Sequence, residues 1–201
     1  MSIPHPGEFL LPTYETERLK TLTAWSLFAD TDLGFRPAEL ARTPLEHFVH
    51  QCVSEDGWMR NMLAVEPKLP ALPKNEDRLS FLEHYAAVSK ERQSILGARP
   101  PEWWGEETAF FDTRRSHAWI FVRRLTHSAH HRGQLTTLLR LIGKPLYSTY
   151  GPTADTGGLP TDRAPTIYRY DSIARLLTEE ATGGEWPELP GAGESSPTER
   201  P

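Results

Sequence analysis

His127-Ser-Ala-His-His131-Arg-Gly-Gln134 lies inside a run, 114–143, that reads as one long helix. On a wheel of about 100° per residue, Ile120, His131, Gln134, Leu138 and Ile142 fall within roughly 60° of His127. His127 and His131 therefore project from one face, and that face is otherwise largely apolar. Ser128, Arg132, Thr136 and Arg140 point elsewhere. Two imidazoles at positions i and i+4 can share one metal ion. The alternative is a pair of core histidines satisfied by hydrogen bonds. The spacing on this face favours the metal.

Working outward, three more amphipathic segments precede this helix, and the four are expected near 14–32, 43–65, 75–96 and 114–142. Pro4, Pro6 and Pro12 predict an irregular arm over 1–12. The first helix then starts near Thr13, with Glu15 and Glu17 favourable to the helix dipole and an apolar side of Leu19, Leu22, Trp25, Leu27 and Phe28. The second starts at Thr43-Pro44-Leu45-Glu46, a capping box with proline at the first helical position. Leu45, Phe48, Val49, Cys52, Met59 and Leu63 cluster on one side of it, and His47, His50, Ser54 and Asn61 form a polar stripe on the other. Periodicity alone turns that stripe to solvent; the alternative is that it lines a wet cavity.

A third helix carries Leu79, Leu82, Tyr85, Val88 and Ile95 and ends at Gly97 and Pro100-Pro101. The linker 102–112 is too aromatic for a bare loop and is expected to pack over one end of the helices, with Asp112 or Thr113 capping the fourth helix. Beyond Gly143, residues 144–165 are rich in Gly, Pro and Thr and lack a helical period, a loop expected to lie against the bundle and help close a site or a subunit surface. A short helix over 171–180 follows, and from Gly183 onward little can be buried, which predicts disorder. The expected architecture is all-α: a four-helix-bundle domain over 1–182 with a long C-terminal loop and a short extra helix, then a disordered tail over 183–201.

Composition narrows the function. A chain of 201 residues with net charge −5 and 24% charged residues is ordinary for a soluble cytosolic protein and argues against nucleic-acid binding. Cys52 is the single cysteine, so an intrachain disulfide and a cysteine-rich zinc site are both excluded. The N-terminus lacks the basic flank and apolar core of a signal peptide, and no apolar run approaches the roughly 20 residues that span a bilayer. A carboxylate-bridged di-iron site needs Glu three positions before each His, and the common zinc-protease signature needs His-Glu-x-x-His. Neither pattern occurs at His127 and His131.

The motif His127-x-x-x-His131-Arg-Gly-Gln134, followed by an aliphatic stretch to Leu141-Ile-Gly143, resembles the last core helix of the DinB/YfiT-like family of small bacterial four-helix bundles. The resemblance covers roughly 15–143. It implies a three-His metal site in which a second-helix histidine joins the two on the fourth; the family's second-helix pattern matches His50, Glu55 and Trp58. That match selects His50, with His47 as the runner-up, although the wheel places His50 on the polar stripe. Three neutral imidazoles suit Zn²⁺ or Ni²⁺ best, with Fe²⁺ third, and leave positions for water or substrate. Relatives of this kind include isomerases and transferases that use small thiols such as mycothiol or bacillithiol. The resemblance thus implies a homodimer acting on a small molecule as a thiol-dependent S-transferase or a hydrolase, and composition and hydropathy add the expectation of a cytoplasmic protein with no nucleic-acid or membrane partner. The alternative is a non-catalytic metal-binding or stress-response interaction protein.

Around the ligands, Gln134 is either placed to bond a metal-bound water or a histidine or is an ordinary helix-end polar residue. Glu55 is expected well off the His50 face, Arg132 away from the ligands, and His130 beside them and bonded to a neighbour. His84 and His117 are read as ordinary.

Overall fold

Local signals in the chain are used closely where they are strongest. Thr43 accepts from the Glu46 amide while the Glu46 carboxylate accepts from the Thr43 amide, so the capping box opens helix α2 (Pro44–Leu63) where expected. Asp77 caps α3 (Arg78–Gly97), and Ser116 caps α4 (His117–Leu141). With α1 (Pro6–Ser26) these make the bundle, α1 packing on α3 and α4 and α2 on α4. The computed structural model describes residues 5–193. Among them, no helix is long and apolar enough to cross a membrane.

The core has two apolar clusters. Trp25, Phe48, Phe81, Tyr85 and Leu135 lie in one, and Tyr14, Met59, Trp104, Ile120 and Phe121 in the other. Glu55 joins them. It is completely buried, and its carboxylate accepts from Tyr14 of α1 (2.5 Å) and from Tyr85 and Arg92 of α3 (2.9 and 3.2 Å). Arg124 of α4 approaches to 3.7 Å. One carboxylate on α2 thereby touches every other helix of the bundle. Burial pushes its pKa up, but Arg92, Arg124 and the two tyrosine bonds outweigh that and hold it below the ordinary carboxylate value.

Several expectations are corrected. Helix α1 begins at Pro6, not near Thr13, so Glu15 and Glu17 sit in its interior rather than at its dipole end. Pro6 needs no intrahelical partner at a first-turn position, and His5 Nδ1 caps the Gly7 amide at 3.2 Å. Pro12 forfeits one backbone bond inside the helix, offset by the burial of Leu10 and Tyr14.

The aromatic linker does pack, since Trp103 and Trp104 are buried. It then forms a hairpin, β1 (Glu107–Phe110) with β2 (Thr113–Ser116), in the register Glu107 to Ser116. Helix α4 consequently starts at His117, and neither Asp112 nor Thr113 caps it. Phe111 holds the hairpin turn at φ 52°, a region that costs a non-glycine residue energy, with Phe110 and Phe111 both against Trp58.

The loop after α4 lies against the bundle, with Leu146, Ser148 and Thr156 buried and Tyr150 bonded to Arg132 and Glu17. Helix α5 (Ile173–Thr182) docks through Leu176 on α1 and α3. The disorder expected from 183 does not describe residues up to 193. Trp186 donates to Tyr170 at 2.6 Å and covers the Arg169 guanidinium, and Gly191 bridges Thr156. The rest of the expected tail, 194–201, lies outside the described residues.

Replacing Glu55 with Ala removes the buried carboxylate that Arg92 and Arg124 share, leaving Arg92 only Asp56 and Arg124 no carboxylate among the described residues. The expected loss is about 3–5 kcal/mol, read as a lower urea midpoint. An unchanged midpoint would show that the carboxylate does not hold the four helices.

Candidate metal centre

Helix α4 presents His127 and His131 one turn apart, and α2 presents His50 towards them. One ring nitrogen from each lies within 4.8 Å of the other two. The Nε2 atoms of His127 and His131 are 3.3 Å apart. Two nitrogens bound tetrahedrally at 2.0–2.1 Å are also about 3.3 Å apart, so the helical pair already has the spacing of shared ligands. Among the described residues no carboxylate or thiolate joins the group. The donor set fits one divalent ion with at least one position left for something other than protein.

Two neighbours set the ring protons. Gln134 Oε1 accepts from His131 Nδ1 at 2.8 Å, which leaves the Nε2 lone pair of His131 free. Arg124 Nη1 lies 2.9 Å from His127 Nδ1, and a guanidinium only donates. His127 Nδ1 is therefore an acceptor, which puts the proton of the neutral ring on Nε2, pointing at His131. Arg124 also donates to Ser54 and Ser128 and contacts Glu55, so the buried core network reaches the site through one side chain. Trp58 covers the other flank, its ring 5.7 Å from that of His127.

The electrostatics keep these imidazoles neutral. Burial and the neighbouring His127 and His50 push His131 down to about 3, and burial with Arg124 pushes His127 down to about 4. Burial, then Arg42 and Arg124, lowers His50. Neutral imidazole is the ligating form.

The polar stripe of α2 thus faces the site rather than solvent over His47, His50 and Ser54; only Asn61 is exposed. His47 is buried and its ring is 5.4 Å from that of His131, but it stands outside the three-nitrogen group. Burial and Arg42 push it down to about 4. It lines a cavity of about 610 Å³ that reaches Gln134. The loop 144–165 contributes nothing to that cavity's lining. Arg132 is buried on Glu17 and Thr21, His130 is exposed beside His131, and His84 and His117 bond backbone oxygens of Pro70 and Trp103. Arg124 was not foreseen. It stands three residues before His127, a spacing that puts side chains in reach of one another, and that was the signal available.

The DinB family model matches residues 10–160. The fold is similar to the crystal structure of a DinB-like protein from Bacillus cereus, at TM-score 0.62 and 18% identity, covering 71% of this chain and 97% of that one. It is also similar to a DinB-like protein (YjoA) from Bacillus subtilis, at TM-score 0.55 and 15% identity, covering 69% of this chain and 96% of the other. No curated protein matches the sequence.

Alanine at His50, His127 or His131 is expected to abolish stoichiometric zinc, nickel and iron binding in element analysis, and alanine at His47 or His130 to spare it. Gln134→Leu frees the His131 ring to take the wrong tautomer and should weaken zinc about 10–100-fold by competition titration. If His127→Ala and His131→Ala both bind metal like the parent, the site is elsewhere.

A second expectation concerns pH. Protons displace metal only where the imidazoles begin to charge, and His127 and His131 charge near 4 and 3. Affinity should stay nearly level from about pH 8 to about 6 and fall below about 5. A decline beginning at the ordinary histidine value would contradict ligation by buried neutral rings.

Proposed function

Because this chain belongs to the DinB family, we propose that it is a metal-dependent enzyme that transfers a group to or from a small thiol, its ion held by His50, His127 and His131. The observation that carries this reading is a three-imidazole group that no fourth side chain among the described residues completes, beside a cavity of about 610 Å³. Zn²⁺ and Ni²⁺ suit the nitrogen donors best, with Fe²⁺ third. When bound, the ion supplies Lewis acidity to a substrate atom.

The chain's own residues account for the rest. Gln134 holds the His131 ring, and Arg124, anchored on Glu55, holds that of His127. Trp58 covers one flank of His127 and is itself packed by Phe110 and Phe111. The chain's single cysteine cannot serve as a thiolate nucleophile. Cys52 is fully buried, and burial with the nearby Glu55 pushes its thiol far up, so it stays protonated and out of reach. Sulfur chemistry at this site therefore needs a diffusible thiol. The same lack of a reachable protein thiolate leaves hydrolysis by water as the second reading. We further place the protein in the cytoplasm as a homodimer, on the family resemblance.

Element analysis of the untagged protein, then turnover screens with low-molecular-weight thiols and with esters, test this. Thiol-dependent turnover should disappear in His131→Ala and persist in Cys52→Ser. Ester cleavage without thiol would move the assignment to hydrolysis. Stoichiometric metal with no turnover in either screen would leave a non-catalytic metal-binding protein. A sedimentation mass of one chain would remove the dimer.

A further inference from the structure

The cavity beside the histidines has a charge character opposite to that of the chain. The protein carries net charge −5, yet no carboxylate lines this cavity, and Arg42 does. Arg42 makes no ion pair among the described residues. Glu46, on which the Arg42 charge acts, has both oxygens engaged by other groups: Oε1 takes Arg36 at 2.6 Å and Oε2 takes the Thr43 amide at 2.8 Å. The loop carrying Arg42 is tied down by Arg36, which bonds both Glu46 and the Ala41 carbonyl. The backbone that carries Arg42 is thus anchored at the cavity wall, and its guanidinium has no ion-pair partner among the described residues.

The remaining wall is apolar and uncovered. Leu40 is 96% exposed and Leu141 60% exposed, with Leu138 beneath them. His47 also lines the cavity; it is only 5% exposed and its buried Nδ1 has no hydrogen-bond partner. Gln134 both lines the cavity and bonds His131, so an occupant would sit one side chain from the three-His group.

We propose that this cavity binds a small organic monoanion, a carboxylate with a short apolar body, whose carboxylate pairs with Arg42 and whose body lies on Leu40, Leu138 and Leu141. A single unpaired guanidinium matches one carboxylate through two parallel hydrogen bonds. The volume, about 610 Å³, is that of a small-molecule site. The absence of acidic groups lets an anion enter without repulsion. This deepens the proposed function by naming the substrate class of that site, and it rests on that reading for the link to catalysis, though the binding itself does not require the metal.

The test is binding to the full chain, metal-stripped and zinc-loaded, by ¹H–¹⁵N NMR titration with butanoate, hexanoate and phenylacetate, each against its neutral amide, and with inorganic phosphate. At least one carboxylate should bind the metal-stripped protein 10-fold or more tighter than its amide, shifting resonances of residues 40–42 and 137–141. Arg42→Gln should abolish that preference while the amide still binds, and Thr137→Trp, which fills the cavity, should remove both. No carboxylate binding, equal binding of carboxylate and amide, tighter binding of phosphate, or a preference that survives Arg42→Gln would each overturn the proposal. Because the metal-stripped protein is used, failure of the metal assignment leaves this result standing, and failure here leaves metal binding measurable.

Discussion

The Glu55 carboxylate is the constraint on which the rest of the structure depends. A buried carboxylate is tolerable only when its charge is compensated and its lone pairs are filled. Here the compensation comes from one side chain or more of every other helix: Tyr14, Tyr85, Arg92 and Arg124. Those partners cannot all be supplied unless the four helices sit at one relative height and rotation. The rotation of α2 in turn aims His50, about 140° round the same helix from Glu55, at the seam with α4. The core ion network and the three-His group are therefore two consequences of one packing arrangement.

Arg124 is the physical link between them. Its guanidinium spans from Glu55 to His127 and also fills the hydroxyls of Ser54 and Ser128. With neutral rings this sets a consistent donor order, Arg124 to His127, His127 to His131, and His131 to Gln134. Two of these bonds serve a bound ion differently. The Gln134 bond leaves the His131 lone pair free, whereas the Arg124 bond directs a proton onto the His127 nitrogen nearest to His131. Ligation through that nitrogen would require the proton to move to Nδ1 and the Arg124 contact there to give way, which would couple a bound ion to a group seated in the core.

Charge is distributed unevenly over an acidic chain. The carboxylates near the site are spent: Glu55 on Arg92 and Arg124, Asp56 on Arg92 and Arg60, Glu46 on Arg36 and the α2 cap. Around the histidines this leaves neutral rings and an unpaired Arg42. Such a site suits a cation held by neutral nitrogen and an anion brought alongside it. The two similar solved structures share this fold at 18% and 15% identity, which is consistent with a bundle specified by pattern and volume more than by particular residues.

What the sequence determined by itself was local. The capping box at Thr43, the apolar period of four helices, the four-residue spacing of His127 and His131, and Gln134 one turn further on are all properties of neighbours within a few residues. A 3.6-residue repeat and the needs of helix ends fix them before any tertiary contact forms. The start of α1 was misread for the same reason, because Pro6 and Pro12 look like breakers until Leu10 and Tyr14 are seen to be buried. The aromatic linker became a hairpin because Trp58 on another helix receives Phe110 and Phe111. Only the tertiary structure decided that the polar side of α2 is an interior surface, that Glu55 on that helix is the buried centre of four helices, and that His50 rather than His47 closes on the α4 pair. Periodicity records how residues are arranged around one helix. Whether a polar stripe meets water or another helix depends on partners far away in the chain, and no local repeat carries that information.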